Sequence, residues 1–114
     1  MSDQKISYVS DPRVHNAALI TIKDEDHTIG NLLQSDIAEN NPNVVFVGYR
    51  APHPYVQQIE LRIRMNEEEL KGPDSAFSES ITRLHSSISN IKQVVESELN
   101  RLRHRDSSVD RNLY

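Results

Sequence analysis

The clearest pattern of apolar positions lies in the C-terminal third of the chain, where apolar side chains recur at alternating steps of four and three residues. A helix turns once in about 3.6 residues, so this spacing predicts one long helix, from residue 73 to about residue 104, with a single apolar stripe along it. The stripe consists of Phe77, Ile81, Leu84, Ile88, Ile91, Val95 and Leu102, and Glu98 occupies the remaining slot.

This helix would be about 48 Å long at about 1.5 Å per residue, which exceeds the body of a domain of this size. We expect the first half of the stripe, residues 77–84, to cover the sheet of the same chain. Beyond Ile88 no further sequence can supply an opposing apolar surface. The second half of the stripe therefore predicts a site of association with another helix.

The middle of the chain alternates between apolar and polar residues with a period of two, which predicts a strand with one wet face. The apolar members are Ile59, Leu61, Ile63 and Met65. Strand-forming residues crowd at 44–49, and the prolines on either side of His53 exclude a helix between the two segments, so they are predicted to form a hairpin. A further strand is predicted at residues 17–22, and a short one around Ile6 and Tyr8.

A short amphipathic helix is predicted from residue 28 to about residue 39, with Thr28 as its N-cap. Its apolar face consists of Ile29, Leu32, Leu33 and Ile37. Gly30 in the first turn costs about 1 kcal/mol relative to Ala, which predicts that another backbone approaches closely there. The order of elements predicts an α+β fold, a two-layer sandwich of a small, mostly antiparallel sheet and helices on one face. Residues 1–105 would form one domain and residues 106–114 a disordered tail.

Composition narrows the range of functions. Only 36% of the 114 residues are hydrophobic, which is low for a domain that covers its own core, and the net charge of -4 argues against nucleic-acid binding through the overall field. The absence of cysteine excludes disulfides, thiol catalysis and cysteine-based zinc sites. There is no apolar run of about 18 residues and no signal-peptide pattern, so we expect an intracellular protein.

The acidic residues 24–26 directly precede His27, and Asp26 beside His27 is the one candidate for acid/base chemistry. No nucleophile or oxyanion loop accompanies the pair, and acidic residues before a helix commonly complement the positive end of its dipole. A metal site would require the fold to bring His27 and His53 to this cluster. The sequence therefore predicts no catalytic residue, no cofactor and no metal. The basic end of the long helix, residues 101–105, offsets the helix dipole or contacts nucleic acid or an acidic partner.

Several short motifs resemble the small dimerisation subunit of RNA polymerases, a family that includes subunit 11 of polymerase II, the nineteen-kilodalton subunit of polymerases I and III, and archaeal subunit L. The motif residues are Asp26, His27, Thr28, Gly30 and Asn31, then Gly48 and Tyr49, then Pro52, His53 and Pro54. The segments at residues 5–8 and 16–18 are most similar to the polymerase II branch.

The resemblance implies the dimerisation-domain fold of the polymerase alpha subunit and a non-catalytic role in the nucleus. It further implies a heterodimer with the third-largest polymerase subunit, which scaffolds assembly of the large catalytic subunits. The interface implied by the family consists of Ile29, Leu32, Leu33, Ile37, Ile81, Leu84, Ile88, Ile91, Val95 and Leu102. Two alternatives stay open: the equivalent subunit of polymerases I and III, or a homodimeric helical adaptor in which Glu98 meets its own copy or a basic helix end.

Overall fold

The computed structural model describes residues 4–113, with side chains through residue 105. Four strands and two helices follow one another in the order β1 (Ile6–Ser10), β2 (Ala17–Lys23), α1 (His27–Asn40), β3 (Val44–Arg50), β4 (Gln58–Met65) and α2 (Pro73–Leu113). The chain divides into two units: Met1–Thr82 contains the sheet, α1 and the start of α2, and Arg83–Tyr114 continues α2. No helix in the described part of the chain combines the length and apolar character that a membrane span requires.

The four strands form one sheet in the order β1-β2-β4-β3, and every pair is antiparallel. Central strand β4 alternates as its sequence predicts, with Ile59, Leu61 and Ile63 at 0% exposure and Arg62 and Arg64 exposed. The register sets Ile20 of β2 opposite Leu61, so the inward side chains of both strands share one apolar layer. The predicted α+β fold is confirmed, as is the predicted hairpin of β3 and β4.

Helix α1 begins one residue earlier than predicted, and its N-cap is Asp26 rather than Thr28. The Asp26 carboxylate accepts a hydrogen bond from the Thr28 backbone N–H at 3.0 Å, while the Asp26 backbone is extended. The carboxylate thus binds a free donor of the first turn and places negative charge at the positive end of the helix dipole. This confirms the structural interpretation of the acidic residue beside His27.

Helix α1 contacts β3 and β4 through its buried face. Leu33 is 1% exposed and Ile37 is 0% exposed, so both belong to the core of this chain. Their prediction as partner-interface residues is wrong, because side chains that the sheet already covers have no surface left to offer. Leu32 is 42% exposed and Ile29 is half-buried.

The first turns of α2 bury small side chains rather than the apolar stripe. Ala76 is 1% exposed and Ser80 is 0% exposed, whereas Phe77 is half-buried and Ile81 is 43% exposed. The Ser80 hydroxyl donates a hydrogen bond of 2.6 Å to Asp36 Oδ2 of α1. The expectation that residues 77–84 cover the sheet is therefore wrong in detail, because the buried face of α2 lies beside the stripe.

The boundary predicted from the sequence, between a domain at 1–105 and a tail at 106–114, falls within α2. This helix is bounded at Leu113, and the side chains of residues 106–113 lie outside the described residues. The disordered tail expected at 106–114 stays a prediction.

Substitution of Ser80 by alanine removes a buried hydrogen bond to a carboxylate. We expect Ser80→Ala to lower the free energy of unfolding by about 1.5–3 kcal/mol, the usual contribution of a hydrogen bond to a charged group. Urea denaturation followed by circular dichroism measures the change. Ser78→Ala, at an exposed position of the same helix, is the control and should change the free energy by less than about 0.5 kcal/mol. Equal effects of the two substitutions would contradict this role of Ser80.

Candidate interaction surface

The second unit carries a continuous surface of exposed aliphatic side chains on α2. Each of these residues is between 45% and 60% exposed, and together we call them the α2 aliphatic surface: Ile88, Ile91, Val94, Val95, Leu99 and Leu102. Scattered exposed aliphatic residues are normal in soluble proteins, but a contiguous row of them marks a site of association. The structure thus leaves open the part of the stripe that the sequence predicts to be uncovered.

Helical geometry explains why these six side chains adjoin one another. Residues three and four positions apart are neighbours on a helix surface. Val94 lies three residues after Ile91, and Leu99 lies four residues after Val95, so both extend the predicted stripe sideways. The sequence analysis missed these two residues because it followed a single line of four-and-three steps. The same spacing rule, applied from every stripe residue, would have found them.

Glu98 interrupts this surface, and its charge is balanced within the same helix. Arg101 Nη2 lies 3.1 Å from Glu98 Oε1, with side chains that are 73% and 52% exposed, respectively. Exposed ion pairs of this kind contribute about 0.2–1 kcal/mol. The Glu98–Arg101 pair therefore places a charged group within the apolar surface and contributes little to the stability of the fold.

The remaining predicted interface residues differ in what they expose. Ile81 and Leu32 are both more than 40% exposed, and Ile29 and Leu84 are half-buried. Within the first unit, the available apolar surface of α1 is therefore Leu32 with part of Ile29.

Three of the motif residues meet at the start of α1. The ring of Tyr49 on β3 packs against Gly30, where an added Cβ would lie 2.5 Å from Tyr49 Cδ2. Tyr49 Oη also lies 3.1 Å from His27 Nδ1, within hydrogen-bond distance, and the two rings meet edge to face. The close approach predicted at Gly30 is thus made by an aromatic side chain and not by a backbone.

The acidic cluster and the Pro-His-Pro segment line one open cleft of about 530 Å³. Its lining includes Glu25, Asp26, His27, His53 and Pro54. The fold therefore does bring the two histidines to the same cleft. Among the described residues, however, no group of three or more His, Asp or Glu side chains is placed to hold a metal ion.

The charged residues of this region have local partners. Glu25 Oε1 pairs with Lys5 Nζ at 2.9 Å, and Asp26 caps α1.

Three other motif residues lie elsewhere in the fold. Asn31 is exposed on α1, Pro52 is half-buried in the β3–β4 connection, and Gly48 lies against the Phe46 ring.

The resolved pKa shifts belong to the β1–β2 side of the sheet. The backbone N–H of Arg13 and the Arg62 guanidinium, 2.7 Å from Asp11 Oδ2, hold the pKa of Asp11 below its usual value. Burial and the nearby Asp74 carboxylate raise the pKa of Tyr8. Neither group belongs to the α2 aliphatic surface.

Comparison with known proteins shows to which family the chain belongs. Residues 17–94 match the family model of the RNA polymerase Rpb3/Rpb11 dimerisation domain. The chain belongs to this family. The family resemblance predicted from the motif residues is thereby confirmed, and the matched region includes the motifs and part of the α2 aliphatic surface.

Relatives within the Rpb3/Rpb11 family carry polymerase II names. The chain is 35% identical over 99 residues to a probable DNA-directed RNA polymerase II subunit RPB11 of Caenorhabditis briggsae, covering 87% of this chain and 79% of the relative. It is 40% identical over 63 residues to the polymerase II subunit rpb11 of Dictyostelium discoideum, covering 55% of this chain and 52% of the relative.

A solved structure has the same fold. RNA polymerase subunit L of Thermoplasma acidophilum superposes with a TM-score of 0.66 at 18% identity, covering 84% of this chain and 89% of the archaeal chain.

Replacement of Gly30 tests the contact between α1 and β3. Although alanine favours a helix, we expect Gly30→Ala to lower the free energy of unfolding by about 1–3 kcal/mol, because its methyl group displaces the Tyr49 ring. Thermal denaturation of the purified chain or complex measures the loss. Ser35→Ala, at an exposed position of α1, should be neutral or slightly stabilising. An increase in stability with Gly30→Ala would show that the close contact does not exist.

Proposed function

We propose that this chain is a non-catalytic subunit of DNA-directed RNA polymerase II, which heterodimerises with the third-largest subunit in the nucleus. The heterodimer scaffolds the assembly of the two large catalytic subunits. Membership of the Rpb3/Rpb11 family supports the dimerising role, and the polymerase II names of the relatives favour this polymerase over polymerases I and III.

The observation that carries the proposal is the α2 aliphatic surface. Full burial of an aliphatic side chain contributes about 1.5–3 kcal/mol. Since each of the six side chains is already about half covered in the single chain, burying the rest would contribute roughly 4–9 kcal/mol before the costs of association. Association costs about 4–15 kcal/mol, so this surface alone gives at most a weak complex.

The proposed interface therefore includes apolar surface from the first unit as well. Ile81, Leu32 and Ile29 of the first unit keep exposed area in the single chain, as does Leu84 of the second unit. Together with Ile88, Ile91, Val95 and Leu102 they supply the additional burial that a stable heterodimer requires. Leu33 and Ile37 act from beneath, by fixing α1 on the sheet.

A non-catalytic role is also what the local chemistry supports. The Asp26 carboxylate is bound to the Thr28 N–H, and His27 faces the Tyr49 hydroxyl. Both members of the one candidate acid/base pair therefore have contacts that position α1.

Affinity purification tests the assignment. The tagged chain, expressed in its native cells, should copurify with the third-largest subunit and with the largest subunit of polymerase II, as identified by mass spectrometry. Recovery of the largest subunits of polymerases I and III instead would assign the chain to those enzymes. A chain that is recovered alone, as a monomer by light scattering, would contradict the proposal.

Charged substitutions on the α2 aliphatic surface test the interface. We expect Ile91→Asp with Val95→Asp to weaken the complex at least about 100-fold, because two carboxylates would be buried in an apolar contact. Coexpression followed by quantitative pull-down measures the complex. The control, Gln93→Asp with Asn100→Asp, adds the same charge on the opposite face of α2 and should leave the complex intact. Equal yields from both double variants would rule out this surface.

A further inference from the structure

The α2 aliphatic surface has the repeat of a coiled coil. Ile81, Ile88, Val95 and Leu102 are seven residues apart, and Leu84, Ile91, Glu98 and Arg105 form the second set with the same period. Two such sets, offset by three or four residues, interlock with a facing helix as knobs into holes. Each residue of the two sets therefore has a defined position opposite the partner.

The edge of this surface is basic, although the chain as a whole is acidic. Lys92 lies four residues after Ile88, and Arg103 lies four residues after Leu99, so both adjoin the surface. Glu96, four residues after Lys92, lies on the same edge, which therefore carries two basic residues and one acidic residue. Residues 83–105 contain five basic and two acidic residues, a formal charge of +3, whereas the whole chain carries -4. A partner helix that runs along this edge gains favourable charge contacts only if it is acidic there.

Glu98 distinguishes a foreign partner from a second copy of this chain. In a parallel pair of identical helices, two Glu98 side chains would face each other, and like charges at such a position are destabilising. In an antiparallel pair, Glu98 would face a member of the other set, and those residues are all aliphatic: Ile81, Ile88, Val95 and Leu102. Neither the parallel pair in register nor the antiparallel pair of identical chains places a basic residue of these two sets opposite Glu98.

We propose that the helix covering this surface belongs to a different polypeptide, which is acidic opposite Lys92 and Arg103 and places one lysine or arginine opposite Glu98. This inference rests on the heterodimer proposed above and specifies the chemistry of its partner. The Glu98–Arg101 pair gives the carboxylate a partner before assembly. On assembly, the partner's basic side chain joins that pair and fixes the register of the two helices.

Neutralising the basic edge tests the first part. We expect Lys92→Gln with Arg103→Gln to weaken the heterodimer about twofold to thirtyfold, as the loss of two surface ion pairs implies, and to reduce the dependence of the dissociation constant on salt. The control, Gln93→Glu with Asn100→Glu, changes the net charge equally on the far face and should leave both quantities unchanged. Both are measured by surface plasmon resonance with the third-largest subunit between 50 and about 500 mM NaCl, a range that spans weak and strong screening.

Removing the Glu98 carboxylate tests the second part. We expect Glu98→Leu to weaken the heterodimer at least about tenfold, because the partner's cation loses its counter-charge in a mostly apolar contact. The same substitution makes the surface continuous, so self-association of the isolated chain should increase in sedimentation equilibrium. Asn100→Leu introduces the same apolar side chain on the far face of α2 and should not weaken the heterodimer.

The outcomes separate this inference from the proposed function. If Ile91→Asp with Val95→Asp leaves the heterodimer intact, the proposed interface itself is wrong. If that variant abolishes the heterodimer but the basic-edge and Glu98 variants bind as tightly as the unsubstituted chain, only the proposed partner chemistry is overturned. Loss of retention on immobilised DNA or RNA by the basic-edge variant, with unchanged heterodimer affinity, would assign that edge to nucleic acid and would also overturn it.

Discussion

The rest of the structure depends on one constraint: the apolar face of α2 is longer than the apolar surface that the described part of this chain provides to cover it. With 36% hydrophobic residues, its core is filled by the inward faces of β2, β4 and α1 and by a few small residues of α2. The aliphatic side chains farther along α2 stay exposed, since no part of the chain that the structure describes covers them. In the function proposed above, burial of that surface by a second polypeptide supplies the free-energy gain of assembly. The family to which the chain belongs is a family of dimerisation domains.

The motif residues contribute to this function indirectly, by holding α1 in place. Asp26 caps the helix, and the Tyr49 ring packs on Gly30 while its hydroxyl lies beside His27. These contacts join the start of α1 to β3, and Ser80 joins α1 to the start of α2 through Asp36. A dimerisation surface must keep its shape before the partner arrives, since ordering it on binding would reduce the affinity. Asp26 and His27, which resemble an acid/base pair in the sequence, thus make contacts that position α1.

Periodicity made most of the fold predictable. The two-residue period of β4 and the strand-forming residues of β3 gave the hairpin, and the spacing on α2 gave the long helix with its uncovered stripe. What periodicity could not decide is which surface covers a given apolar face. Leu33 was assigned to a partner but lies on the buried face of α1, in this chain's own core. An amphipathic face has the same spacing whether a sheet or another protein covers it. The N-cap was misplaced for a similar reason, since Asp26 and Thr28 are both good capping residues.

The central claim concerns the solvent exposure of α2 before and after assembly, and hydroxyl-radical footprinting with mass spectrometry measures it most directly. Oxidation of Ile88, Ile91 and Val95 should be fast in the isolated chain and strongly suppressed in the complex with the third-largest polymerase subunit. Exposed residues of the β3–β4 connection, such as Tyr55, serve as an internal reference. Equal oxidation of the three aliphatic residues in the two states would contradict the account, because the surface would then stay open to water in the assembly.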